Sequence, residues 1–248
     1  MAALPDLTSF DAFLFDLDGV LTPTAEVHMQ AWKAMFDDLF EAWDVQPAYT
    51  DDDYFQYVDG KKRYDGVASL LRSRDVEVPW GHPSDPLTAD TVCGIGNRKN
   101  EVFTRVLNER GIQPYPGSLA LLDQLQGYPL GVVSSSKNAR DVLAAAGIAN
   151  RFVTIVDGLV AETDNLASKP AADMFARGAH ELGIAPDRIA AFEDAHSGVA
   201  SAAAAGIALV VGVDRGAGAE ALLENGATLV VSDLAEFVHP ASPRNLTA

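Results

Sequence analysis

The spacing of hydrophobic and polar positions changes twice along the chain. At the start, Phe10, Phe13, Leu14 and Phe15 form a short aromatic run that predicts a buried strand over 10–15. Between 26 and 110 the apolar spacing is helical. Val27, Ala31, Ala34, Met35, Leu39 and Trp43 predict a helix over 26–43, with Glu26 near its start, where negative charge suits the helix dipole. Asp51, Asp52 and Asp53 cap a second helix, a third is expected at 64–73, and Val102, Val106 and Leu107 mark a fourth over 98–110. The stretch 75–96 is rich in Pro, Gly and Asp and reads as an irregular connection. No strong strand pattern occurs in this part, so 26–110 is expected to be a separate helical cap domain.

Beyond Pro114 and Pro116 the pattern alternates. Helices are expected at 117–126, 138–146, 170–182, 197–205 and 216–225, and strands at 130–133, 152–156, 189–192, 207–213 and 228–231. This alternation predicts an α/β core, residues 1–25 and 111–248, with a mostly parallel sheet covered on both faces. The dense alanines from Ala200 to Ala205 suit close helix–sheet packing, and 239–248 is a polar tail with little to anchor it.

Composition narrows the possibilities. With 248 residues and 48% hydrophobic content the chain can bury a large core. No apolar run reaches membrane-spanning length, and the polar start lacks the form of a signal peptide. Cys93 is the single cysteine, which excludes an intrachain disulfide and fits a reducing cytoplasm. A net charge of -17 argues against nucleic acid and anionic membrane as partners. An acidic protein can still bind a small phosphorylated ligand through a few local cations.

The candidate chemistry lies at strand ends. Asp16 and Asp18 end the first strand, and residues two apart on extended chain share a face. Paired carboxylates there read either as a solvated turn or as a nucleophile with a Mg2+ site, the carboxyl end of an α/β sheet being the expected place for chemistry. Ser134 ends the next strand, and Glu193 and Asp194 end that at 189–192. Lys169 is expected immediately before a helix, with Pro170 in its first turn. Taken singly, Ser134 is a helix cap and Lys169 a solvated lysine. Taken together, Asp16, the Asp18 carbonyl and Asp194 suit Mg2+, while Ser134 and Lys169 suit a phosphate under attack.

These residues resemble the haloacid dehalogenase superfamily. DLDGV at 16–20 is similar to its first motif, SSSKN at 134–138 to its second, Lys169-Pro170 to its third and FEDAHSG at 192–198 to its fourth. The likeness runs from Phe10 to about Leu234 and implies a Rossmann-like core with an inserted helical cap. It implies that Asp16 attacks phosphorus, that Asp18 is the general acid and base, and that Asp16, Asp18 and Asp194 hold Mg2+ with Glu193 nearby.

Within the superfamily, Thr24, the HMQAWK stretch from His28, Gly60 with Arg63, and NRKN at 97–100 resemble the β-phosphoglucomutase family. That likeness implies that His28 aligns Asp18 and that Arg63 holds the distal phosphate of a sugar bisphosphate. Lys99 and Asn100 would contact substrate from the cap, and Ser135, Ser136, Lys137 and Asn138 would line the core-side phosphate pocket with Ser134. The implied activity interconverts β-glucose 1-phosphate and glucose 6-phosphate through a phosphoaspartate and glucose 1,6-bisphosphate, in a monomer. One position departs from that pattern: Asp59 stands where a lysine often precedes the glycine, and Lys61 and Lys62 are the candidates to compensate. A Mg2+-dependent sugar-phosphate phosphatase remains the alternative. An inactive sugar-phosphate-binding module is the third reading, against which both aspartates count. Cys93 reads as a packed thiol, and the five histidines show no zinc spacing.

Overall fold

The computed structural model describes residues 4–238, so the predicted polar tail lies outside the described residues. Six strands form one sheet: β1 (Ala12–Phe15), β2 (Leu130–Val133), β3 (Thr154–Val156), β4 (Ile189–Glu193), β5 (Leu209–Val213) and β6 (Leu229–Val231). Their order is β3-β2-β1-β4-β5-β6, and every pairing is parallel. In register, Phe15 of β1 lies between Val132 of β2 and Phe192 of β4. The chain builds outward from β1 on one side, then returns to its other edge as β4. Such a reversal leaves a crevice at the strands' carboxyl ends, where ligands bind in open α/β sheets.

Among the described residues ten α-helices accompany the sheet. In chain order they are α1 (Thr24–Trp43), α2 (Asp51–Asp53), α3 (Arg63–Ser73), α4 (Val92–Arg110), α5 (Pro116–Gln124), α6 (Ala139–Ala145), α7 (Gly158–Thr163), α8 (Asp173–Leu182), α9 (His196–Ala204) and α10 (Ala219–Glu224). Alternation along β1 sends Phe13 and Phe15 to one face of the sheet and Ala12 and Leu14 to the other, each face filling its own apolar cluster. A third cluster, around Trp32, Phe36, Phe40, Tyr54, Leu70 and Ile95, draws only on the stretch from α1 to the first turn of α4. Helices α1 and α4 also reach the core, through Ala31 and Phe103. Among the described residues no helix is long and apolar enough to cross a membrane.

Several boundaries differ from the sequence reading. Helix α4 begins at Val92, where Thr91 accepts the Gly94 N–H, so the irregular connection stops six residues before the expected start at 98. The three aspartates form the short α2, capped by Thr50, and run on as a π-helical turn, Tyr54–Val58. Helix α7 was hidden by its shortness, though Asp157 caps it through the Leu159 and Val160 N–H groups. A further shift concerns Pro170, which precedes α8 by three residues instead of opening it. A turn closed by the Ala171 N–H on the Ser168 carbonyl occupies that place and directs Lys169 inward.

The aromatic spine of the core generates a simple expectation. Phe192 is fully buried and stacks on Phe15 at 4.8 Å, with Phe237 edge-on at 5.8 Å. Phe192→Ala should cost about 3–5 kcal/mol of stability in urea denaturation. A loss below about 1 kcal/mol would show that this stack does not anchor the sheet.

Candidate active site

Strand β1 stops at Phe15, so Asp16 to Asp18 already belong to a turn. The Asp18 N–H donates to Asp16 Oδ2 at 2.9 Å, folding the first carboxylate back over the second residue's backbone. The two side chains therefore serve different partners. Asp16 Oδ1 accepts from the Lys169 ammonium at 2.7 Å. Asp18 Oδ1 accepts from the Thr24 hydroxyl of α1, and Asp18 Oδ2 lies 3.4 Å from Ser134 Oγ. His28 Nε2 stands 3.4 Å from Asp18 Oδ1, a separation at which it makes no regular hydrogen bond.

Lys169 is buried and also donates to Glu193 Oε1 at 2.5 Å and to the Val133 carbonyl at 3.1 Å. Burial favours its neutral form, but Asp16 and Glu193 together hold its affinity for protons above the usual lysine range. Glu193 Oε2 accepts the Ala195 N–H at 2.9 Å. Both Glu193 oxygens are thus directed to protein groups.

Asp194 approaches from β4. The backbone at Gly19, with φ +85°, leaves the room: a Cβ there would sit 1.8 Å from Asp194 Oδ2. Burial, and then the charges of Asp59, Glu193, Asp16 and Asp18, raise the Asp194 carboxyl well above its ordinary range. Asp16 is raised likewise, burial outweighing Lys169. Asp18 is the exception. Burial acts to raise it, but His28, Thr24 and Lys99 outweigh burial and lower it.

Among the described residues no group of three or more His, Cys, Asp and Glu side chains forms a metal cluster on its own. The donor set nevertheless fits a hard cation. Asp16 and Asp194 carry buried, mutually repelling carboxylates, and backbone oxygen with water and phosphate can complete such a shell.

One pocket gathers most of the expected site. Asp16, Asp18, His28, Gly60, Arg63, Lys99, Ser134, Ser135, Ser136, Lys137, Asn138 and Asp194 line it together. Thr24, Asn100, Lys169 and Glu193 stand behind that lining and hold it in place. Asn100 Oδ1 accepts from Arg63 at 2.7 Å and from Asn138 at 2.8 Å, joining α3 and α4 to the start of α6. Lys99 donates to His28 Nδ1 and lies over the rings of Trp32 and Phe103. Burial and the Arg63 charge lower its proton affinity, and burial and Lys99 lower that of His28.

The sequence reading missed Trp32, Tyr54 and Val58 as lining residues, and it treated Asp59 only as a missing charge. Trp32 lies on α1 and the other three in or just after the π-helical turn, and the fold sets them against pocket residues distant in sequence. Asp59 is pushed up to about 7, mainly by burial. Of the two lysines expected to compensate for it, Lys61 lines the pocket and donates to Ser69. Lys62 turns to the Leu166 carbonyl and Asp65.

A parallel sheet with two aspartates at the end of its central strand and a carboxylate pair on the next defines the class. The chain belongs to the haloacid dehalogenase-like hydrolases, whose family model matches residues 10–206. It is 49% identical over 244 residues to the β-phosphoglucomutase of Mycobacterium tuberculosis (strain CDC 1551 / Oshkosh), a match covering 92% of this chain and 91% of that one. It is 29% identical over 239 residues to validoxylamine A 7'-phosphate phosphatase of Streptomyces hygroscopicus subsp. limoneus, covering 92% and 95%. Its fold resembles the crystal structure of β-phosphoglucomutase from Clostridium difficile, with TM-score 0.74, 24% identity and 92% of each chain covered. The protein is an enzyme, a phosphomutase or a phosphatase.

The unusual acid in the pocket has a pH signature. Because its folded-state value lies above the unfolded one, Asp59 favours folding below 3.8 and loses that contribution as pH rises through about 7. In metal-free protein, Asp59→Asn should gain on the parent by about 4 kcal/mol from roughly pH 4 to pH 8, read by urea denaturation. Parallel stability curves would contradict the placement of Asp59 in a dry, acidic surround.

Proposed function

We propose that the enzyme is a phosphomutase that interconverts β-glucose 1-phosphate and glucose 6-phosphate, with glucose 1,6-bisphosphate as the bound intermediate. The observation that carries this reading is the pocket's two-sided supply of phosphate-binding groups. Asp16, Ser134 and the 134–138 loop belong to the core, whereas Lys61, Arg63 and Lys99 face them from the cap. A ligand with phosphate at both ends fits such a pocket, and one chain supplies both ends.

In this reading Asp16 attacks phosphorus and forms an aspartyl phosphate as the P–O bond to the sugar breaks. Asp18 gives its proton to the leaving oxygen and takes one from the hydroxyl that attacks next. Its lowered proton affinity favours the base form that receives a proton. Lys169 holds Asp16 and balances charge at the reacting phosphate, and Ser134 orients that phosphate. Asp16, the Asp18 carbonyl and Asp194 would hold Mg2+, which when bound lowers the repulsion between carboxylate and phosphate. Glu193 acts through Lys169. Arg63, with its planar fork, holds whichever phosphate is distal.

The second reading, a Mg2+-dependent sugar-phosphate phosphatase, uses the same aspartyl phosphate with water as acceptor. It draws support from the likeness to validoxylamine A 7'-phosphate phosphatase. Product analysis separates the two. With Mg2+, β-glucose 1-phosphate and a trace of bisphosphate, glucose 6-phosphate should exceed inorganic phosphate by at least about tenfold, since a well-placed hydroxyl outcompetes water. Chelation should abolish both products. Phosphate in excess, with little isomer, would replace the mutase with the phosphatase.

A further inference from the structure

The cap loop Asp59–Lys62 is gripped by its backbone at three points. Ser197 Oγ, in the first turn of α9, donates to the Asp59 carbonyl at 2.7 Å. Ser135 Oγ, just after β2, donates to the Gly60 carbonyl at 2.6 Å. Ser168 Oγ, beside Lys169, accepts the Lys62 N–H at 2.9 Å. The serines come from three core segments, 138, 75 and 106 residues from their partners.

The fit leaves no slack at Gly60. Its φ is +70°, and a Cβ there would lie 2.3 Å from Ser197 Oγ and 2.9 Å from the Ala195 Cβ. Backbone recognition also has a consequence for the pocket: the side chains of Asp59, Lys61 and Arg63 stay free to line it. Ser135, expected from the sequence among the phosphate-pocket residues, lines the pocket and gives its hydroxyl proton to the Gly60 carbonyl.

We infer that Ser135, Ser168 and Ser197 form a latch that holds the cap shut during phosphoryl transfer, and that the latch sets the choice between sugar hydroxyl and water as acceptor. The inference rests on the phosphomutase reading. When the cap stands open, each serine and each loop carbonyl finds water instead, so every latch bond shifts the closure equilibrium only modestly. Together they exceed what one contact supplies. An aspartyl phosphate that waits under a closed cap meets the bisphosphate's own hydroxyl, and under an open cap it meets solvent.

Two measurements on the holoenzyme test this. Ser168→Ala/Ser197→Ala should raise the ratio of inorganic phosphate to glucose 6-phosphate about tenfold, and Ser197→Ala alone about threefold. Hydrogen exchange at the Lys62 amide, which donates to Ser168, should quicken in the double variant. An unchanged product ratio overturns the assignment, with or without faster exchange, because acceptor choice would then not follow the latch. Unaltered Lys62 exchange overturns the latch itself, whatever the products. Were the parent to release only phosphate, the phosphomutase reading would fail while the exchange experiment still decided whether the serines hold the cap.

Discussion

A buried ammonium between two carboxylates organises the core side of the site. Lys169 lies between Asp16 at the end of β1 and Glu193 at the end of β4, with the Val133 carbonyl of β2 as a third acceptor. One side chain thereby ties together three neighbouring strands at their carboxyl ends, where the strand order reverses. A charged lysine without exposure is tolerated only because its partners are charged and close, and the partners in turn depend on it. The position of the Asp16 carboxylate follows from that mutual dependence.

Charge is left over once Lys169 is paired. Asp194, Asp18 and Asp59 add carboxylates around the same point, and burial pushes Asp194 and Asp59 toward their protonated forms. On the opposite wall are the half-buried Arg63 and the buried Lys99, cations whose own proton affinity is lowered. The interior is therefore strained electrostatically on both sides without ligand. A divalent cation would relieve the acidic side, and a phosphate the basic one. Binding and neutralisation would then be the same event, in keeping with the sugar phosphate proposed as substrate.

Much of this was legible in the chain. The aromatic run before Asp16 and the alternating pattern after Pro116 specify buried strands because both faces of a parallel sheet are covered. Motif spacing placed Asp16, Asp18, Ser134 and Asp194 at strand ends, and the fold brings those four into one pocket. What stayed hidden depends on contacts between distant segments. Nothing local distinguishes Asn100 as a bridge between Arg63 and Asn138, or Thr24 as the donor behind Asp18. Pro170 misled because proline suits the first turn of a helix, whereas here a tight turn precedes α8. Asp59 could be noticed only as a departure. Its place beside Asp194 depends on a contact between segments distant in sequence.

The central claim is that Asp16 carries the phosphoryl group between the two ends of the sugar. It is tested most directly by chemical trapping. The enzyme would be mixed with Mg2+ and glucose 1,6-bisphosphate, quenched in the presence of borohydride, and digested for mass spectrometry. Reduction of an aspartyl phosphate leaves homoserine, which is expected at position 16 and nowhere else. Homoserine at another aspartate, or intact Asp16 while turnover proceeds, would contradict the assignment.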